Sequence, residues 1–120
     1  MMDALWDAIA DLMADYDLWR GNAPADYGAT VYIVGRLEWQ DGGDDTCRAV
    51  SIVLDVYGDG TAHSTADAIE ELLTGWRVQD ELPGASSCQA LLELRQELTD
   101  ESDPRRQRVN MIFTLAGYSS

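Results

Sequence analysis

One stretch constrains this chain more than any other: residues 29 to 57 alternate apolar and polar side chains almost without a break. In ATVYIVGRLEWQ, Val31, Ile33, Leu37 and Trp39 fall on one side at period two, with Gly35 between them, while Tyr32, Val34, Arg36 and Glu38 fall on the other. In CRAVSIVLDVY, Val50, Ile52, Leu54 and Val56 share a side. β-Branched and aromatic residues at that period make half-buried strands. The intervening DGGDDT supplies turn residues. The stretch reads as a long β-hairpin with one apolar face, and the rest of the chain must cover that face.

Two amphipathic segments are suited to the task. Residues 2 to about 20 read as a helix in which Leu5, Ile9, Leu12, Met13 and Tyr16 form a stripe, with Trp6 and Trp19 near it, and Gly21, Asn22 and Pro24 end it. Asp3, Asp7, Asp11 and Asp15 make a second stripe at i, i+4 spacing, a solvated face or a surface that meets cations. After the hairpin, Ser64 or Thr65 is placed to cap a second helix with Asp67 in its first turn. Its apolar stripe is Ala66, Ile69, Leu72, Leu73 and Trp76. Residues 77 to 87 read as irregular, with a Pro83-Gly84 turn.

A second hairpin follows. Ala90, Leu92, Leu94 and Leu98 form the apolar side of one strand, interrupted by Gln96, and Val109, Met111, Phe113 and Leu115 that of the other. The resulting expectation is an α+β fold in the order α-β-β-α-β-β: an antiparallel four-stranded sheet with both helices on one face, as a single domain over residues 1–120. The second face is mixed but carries Tyr32, Val34, Val53 and Ile112, which suits either ordinary surface or a subunit contact.

Charge narrows the function. The 120 residues carry a net charge of -14, and all 8 cationic side chains are Arg. Phosphate backbones and anionic membrane surfaces need cations, so neither nucleic acid nor membrane is an expected partner. No apolar run reaches the roughly 20 residues of a membrane span, and the acidic N-terminus does not read as a signal peptide. Cys47 and Cys88 show no metal or disulfide spacing and read as thiols.

Catalytic chemistry is sparse. His63, the only histidine, sits in the loop expected before the second helix, with no recognisable nucleophile or orienting partner. Asp55, Asp59 and Gly60 fail the calcium-loop pattern, because Tyr57 and Ala66 would stand at ligand positions. Asp41, Asp44 and Asp45 cluster in the first hairpin turn and are the only metal candidates, a loose Mg²⁺ or Ca²⁺ site at most. No catalytic residue, resident metal or cofactor is assigned. Arg105, Arg106 and Arg108 concentrate positive charge at the base of the second hairpin. The two clusters are complementary in charge, as a contact between two different surfaces of neighbouring copies requires. Arg105, Arg106 and Arg108 with Asp41, Asp44 and Asp45 are therefore the candidate interface.

Taken in order, the amphipathic helix, the strands YGATVYIVGRLEW and AVSIVLDVYG, the helix TADAIEELLTGW, and the turn DESDPRR leading into RVNMIFTLAGY resemble the tail-terminator, or tail-completion, proteins of long-tailed bacteriophages. The likeness covers nearly the whole chain. It implies a non-enzymatic minor tail protein that assembles as a ring, usually a hexamer, in the host cytoplasm and then in the virion. Such a ring caps the tail tube and docks the head-connector proteins. The charge leaves an alternative of another class: an acidic inhibitor that imitates DNA and binds a basic nucleic-acid enzyme.

Overall fold

The computed structural model describes residues 2–23, 31–39, 48–58, 60–82, 88–99 and 107–118. The elements are α1 (Met2–Leu12), β1 (Leu18–Arg20), β2 (Val31–Trp39), β3 (Arg48–Gly58), α2 (Ala62–Leu73), α3 (Val78–Glu81), β4 (Ala90–Thr99) and β5 (Gln107–Tyr118). The strands form one five-stranded sheet in the order β1-β2-β3-β5-β4. The fold is α+β, but the sheet is mixed rather than antiparallel and four-stranded. The added strand, β1, runs parallel to β2 and pairs Leu18 with Ile33 and Arg20 with Gly35.

That strand comes from the expected first helix, which stops at Leu12. The next turn tightens through bonds from Ala14 N to Asp11 O and from Tyr16 N to Met13 O. Continuing the helix would place Asp15 and Asp17 at its C-terminus, where the macrodipole opposes negative charge. Leu18 and Trp19 instead gain backbone partners along the β2 edge. The apolar stripe misleads because Met13 and Tyr16 still face the core after the helix has ended.

Both helices cover the same side of the sheet. Leu5, Ile9 and Met13 from α1 and Ala62, Ala66, Ile69 and Leu73 from α2 join Ile33, Ile52, Leu54, Met111 and Phe113 in one buried cluster. Gly35 makes the close approach of α1 possible, because Trp6 occupies the space a side chain would need. Helix α2 begins after Thr61, earlier than expected; Ser64 does not cap it but donates its hydroxyl to Thr61 O. His63 thus lies in its first turn rather than in a loop.

The face assignment fails in the second half of β4. A register shift between Leu92 and Leu94 leaves Glu93 as an extra residue, so Leu92 pairs with Phe113 but Leu94 pairs with Ile112. Beyond a bulge the alternation changes face. Leu94 and Leu98 turn away from the helices, and Arg95 and Glu97 turn towards them. Arg95 then meets Asp67 of α2 at 2.7 Å and Glu70 at 3.3 Å, while Glu97 meets His63 at 3.0 Å.

Candidate functional site

The face of the sheet opposite the helices holds the described features that remain for function. Strand pairing arranges it in rows across β2, β3, β5 and β4. One row reads Tyr32, Tyr57, Arg108, Leu98; the next Val34, Asp55, Asn110, Gln96; the third Arg36, Val53, Ile112, Leu94; the fourth Glu38, Ser51, Thr114, Leu91.

Asp55 is the chemical centre of this face. Its side chain is 7% exposed. Its Oδ1 accepts from Arg108 Nε at 3.0 Å, Arg108 Nη2 at 2.9 Å and Asn110 Nδ2 at 2.9 Å. A carboxylate so buried requires such donors to remain charged. Burial disfavours the charge on Arg108, but the bonds to Asp55 outweigh it and hold the guanidinium above its ordinary pKa. The same guanidinium lies 5.6 Å from the Tyr57 ring centroid, and Tyr57 stacks on Tyr32 at 5.0 Å and 14°. Burial raises the Tyr57 hydroxyl above its ordinary pKa, although Arg108 works against it.

Beside this network lies a concavity of about 420 Å³. Tyr32, Val34 and Arg36 of β2 and Asp55 and Tyr57 of β3 line it, with the chain from Gly21 to Ala23 as one wall. Arg36 bonds Glu38 on its own strand at 2.6 Å, and both side chains are about half exposed, at 55% and 52%. Across the sheet, Leu91, Leu94 and Leu98 are 58%, 38% and 40% exposed, although each is a large apolar residue.

Charge is divided between the two sides. Asp3, Asp7 and Asp11 on α1 and Asp67, Glu70 and Glu71 on α2 lie on the helical side. On the open sheet face, Asp55 is matched by Arg108 and Glu38 by Arg36. Arg20 offsets Asp3 and Arg95 offsets Asp67 and Glu70 on the helical side, so both sides carry paired ions, and the helices bear Asp7, Asp11 and Glu71 besides.

Of the residues named from sequence, Arg108 lies in this network, tied to Asp55 of its own chain. Asp41, Asp44, Asp45, Arg105, Arg106, Cys47 and Asp59 lie outside the described residues. The strand ends that anchor the two hairpin turns are described: Trp39 with Arg48, and Thr99 with Gln107. They stand at opposite ends of the sheet, since Gly58 pairs with Gln107 whereas Val50 pairs with Leu115. His63 faces Glu97 beside α2, away from the concavity. Cys88 is a buried free thiol. Among the described residues, no group of three or more His, Cys, Asp or Glu is arranged to hold a metal ion, and no helix is long and apolar enough to cross a membrane. Sequence reading missed the Asp55 network; period-two alternation already placed Asp55 and Arg108 on one face, but only the β3–β5 register makes them neighbours.

No family model and no curated protein matches the chain. Solved structures do. A chain from the virion of a native gene transfer agent particle superposes with a TM-score of 0.65 at 15% identity, covering 99% of this chain and 95% of that one. A second solved chain, whose name states no function, gives a TM-score of 0.69 at 15% identity, covering 100% and 96%. At that identity the likeness establishes a shared fold.

Proposed function

We propose that this chain is a non-enzymatic structural protein of a phage-like particle, and specifically the subunit of a ring that terminates the tail tube. The observation that carries the reading is the likeness to a chain of a gene transfer agent virion, which spans nearly the full length of both chains. Fold alone does not fix function. Two features of this chain agree with the reading. Its open sheet face carries paired ions and bears exposed leucines, as a subunit contact needs. Its polar network ties Asp55 of β3 to Arg108 and Asn110 of β5, which suits a stiff surface for subunit contact.

In this reading the protein assembles in the host cytoplasm, joins the virion at the tail or neck, and contacts itself, the tail tube and a head-connector protein. The ring is a hexamer. Arg105 and Arg106 of one copy meet Asp41, Asp44 and Asp45 of the next. Arg108 contributes from the base of its hairpin.

The test is native mass spectrometry with negative-stain microscopy, on the protein alone and mixed with purified tail tubes. Closed rings that cap one end of a tube are expected. A protein that stays monomeric under both conditions refutes the reading, as would tight competition with DNA for a nucleic-acid enzyme. Arg105→Glu with Arg106→Glu is expected to weaken assembly while leaving the circular dichroism unchanged, and adding Asp44→Arg with Asp45→Arg to restore part of it.

A further inference from the structure

Strand β4 forms one edge of the sheet. The chain covers the start of that edge itself. Gly75 N donates to Ala90 O at 2.7 Å, Ala90 N donates to Trp76 O at 2.9 Å, and Arg77 and Gln89 form an isolated antiparallel bridge. Past the bulge at Glu93, no described residue pairs with the outer side of β4. An open edge is a template for another strand. We propose that residues 94–98 of β4 pair antiparallel with the same residues of a second copy, about a two-fold axis through Gln96 and normal to the sheet. The pairing is a form of the free protein. It goes beyond the ring reading and does not rest on it.

The sequence of this stretch is self-complementary. Laid antiparallel on itself, Leu94-Arg95-Gln96-Glu97-Leu98 sets Arg95 opposite Glu97 twice, Leu94 opposite Leu98 twice and Gln96 opposite Gln96. Opposite charges and apolar pairs directly across a ladder are favourable, whereas like charges are not. Moving the centre by one residue either way puts Arg95 on Arg95 or Glu97 on Glu97. The faces agree as well, because this two-fold keeps the helices of both copies on one side. Arg95 and Glu97 lie on that side, where they already meet Asp67, Glu70 and His63. Leu94 and Leu98 lie on the open face, 38% and 40% exposed, and the pairing gathers the leucines of both copies into one cluster across the seam.

The helices leave room for the seam. Helix α2 lies mainly over β5. Across the seam the two α2 helices therefore stand about three strand spacings apart, roughly 14 Å, wider than the ~8–10 Å of packed helices. Asp67 and Glu70 of both copies keep the helical side of the seam acidic. Backbone bonds and leucines thus supply the attraction, and the Arg95–Glu97 pairs set the register. Two identical edges joined in this way close at two copies. Five residues per strand make a small contact, so the dimer is expected at micromolar concentrations rather than below.

The test uses the full chain. Sedimentation equilibrium is expected to show monomer and dimer exchanging across the micromolar range. Gln96→Cys, in a background of Cys47→Ser and Cys88→Ala, is expected to oxidise to a covalent dimer and nothing larger. Its two copies would stand directly opposite, with Cα atoms about 4.5–5.5 Å apart, inside the reach of a disulfide. Leu94→Cys in the same background is expected to give no covalent dimer. The two copies of that position are four residues apart along the seam, roughly 13 Å, beyond the ~7 Å limit. Leu94→Arg with Leu98→Arg opposes like charges and is expected to weaken the dimer at least about tenfold with an unchanged circular dichroism spectrum. That variant lowers the net negative charge, so general repulsion alone predicts the opposite. The proposal is overturned by a monomer throughout the micromolar range, which is also the result if a strand of another protein takes this edge. It is equally overturned if Leu94→Cys crosslinks as readily as Gln96→Cys, or if the arginine variant pairs like the wild type. If tail tubes are capped but no dimer forms, the ring reading stands alone. If the Gln96→Cys dimer forms but no tube is capped, the pairing stands and the ring reading falls.

Discussion

Replacing Gly35 with alanine tests how closely the first helix is seated on the sheet. A Cβ on Gly35 would lie 2.8 Å from Leu54 Cδ2, 2.9 Å from Trp6 Cη2 and 3.2 Å from Trp6 Cζ3. Carbon atoms prefer about 3.5–4.0 Å, so the new methyl group overlaps both neighbours. Neither can withdraw easily. Leu54 is fully buried, and Trp6 is 8% exposed, with the Arg20 guanidinium 5.5 Å from its ring. Overpacking of this kind costs about 1–3 kcal/mol. Loss of glycine freedom in the unfolded chain offsets about 0.4–1 kcal/mol. The net expectation for Gly35→Ala is a destabilisation of about 1–2 kcal/mol, or a fall in Tm of roughly 4–8 °C. Urea unfolding followed by circular dichroism measures it. Trp6→Phe removes the ring atoms that the methyl would strike, so Gly35→Ala should cost less in that background. The two changes should couple by at least about 0.5 kcal/mol. A Gly35→Ala stability within about 0.3 kcal/mol of the wild type, or strict additivity with Trp6→Phe, refutes the reasoning.

Other outcomes follow from the same structure. Phe113→Ala, at a side chain with no exposed surface, is expected to cost about 3–5 kcal/mol; a change under about 1 kcal/mol in a denaturant melt contradicts the core assignment. Asp55→Ala leaves Asn110 and Arg108 without their acceptor and is expected to cost about 1–3 kcal/mol, less than a fully buried pair because Arg108 is 42% exposed and can turn to water; an unchanged melting curve would show that the network does not hold the sheet. The hydrogen bond from Arg20, at 2.7 Å, holds the Asp3 carboxyl below the usual carboxylate range. A depressed carboxyl contributes stability at neutral pH that is lost as pH falls through the folded value. The Asp3 carbon resonance should therefore titrate at higher pH in Arg20→Gln than in the wild type, and identical titrations dismiss the pair. If divalent cations neutralise the aspartate stripe of α1 on assembly, millimolar Mg²⁺ should raise the sedimentation coefficient relative to chelator at constant ionic strength, and unchanged sedimentation removes that role.

The two hairpins and the covered face were legible because buried strands declare themselves at period two. Val50, Ile52, Leu54 and Val56 are all fully buried, as their alternation implied. The first helix was legible in its stripe but not in its length. Its apolar residues continue past Leu12 for reasons of burial, while Asp15 and Asp17 oppose a longer helix for reasons of charge, and periodicity reads only the first effect. The parallel strand β1 was invisible, because three residues carry no period and their partner lies more than ten positions away in sequence.

The bulge at Glu93 explains why the candidate site was only half legible. Strict alternation assigns Leu92, Leu94 and Leu98 to one side and leaves Gln96 as an interruption. One extra residue removes the anomaly: Gln96 moves to the open face beside Asn110, and Arg95 and Glu97 move beneath the second helix to meet its polar residues. Leu92 stays against the core, while Leu94 and Leu98 join Leu91 as exposed leucines on the open face. A sequence without the bulge would have put Leu94 in the core and an arginine on the open face. The cost of the bulge is one unpaired residue in an edge strand, and its consequence is an apolar surface opposite the helices. Among the described residues nothing covers Leu91, Leu94 and Leu98, which is the physical reason to look for their partner in another copy.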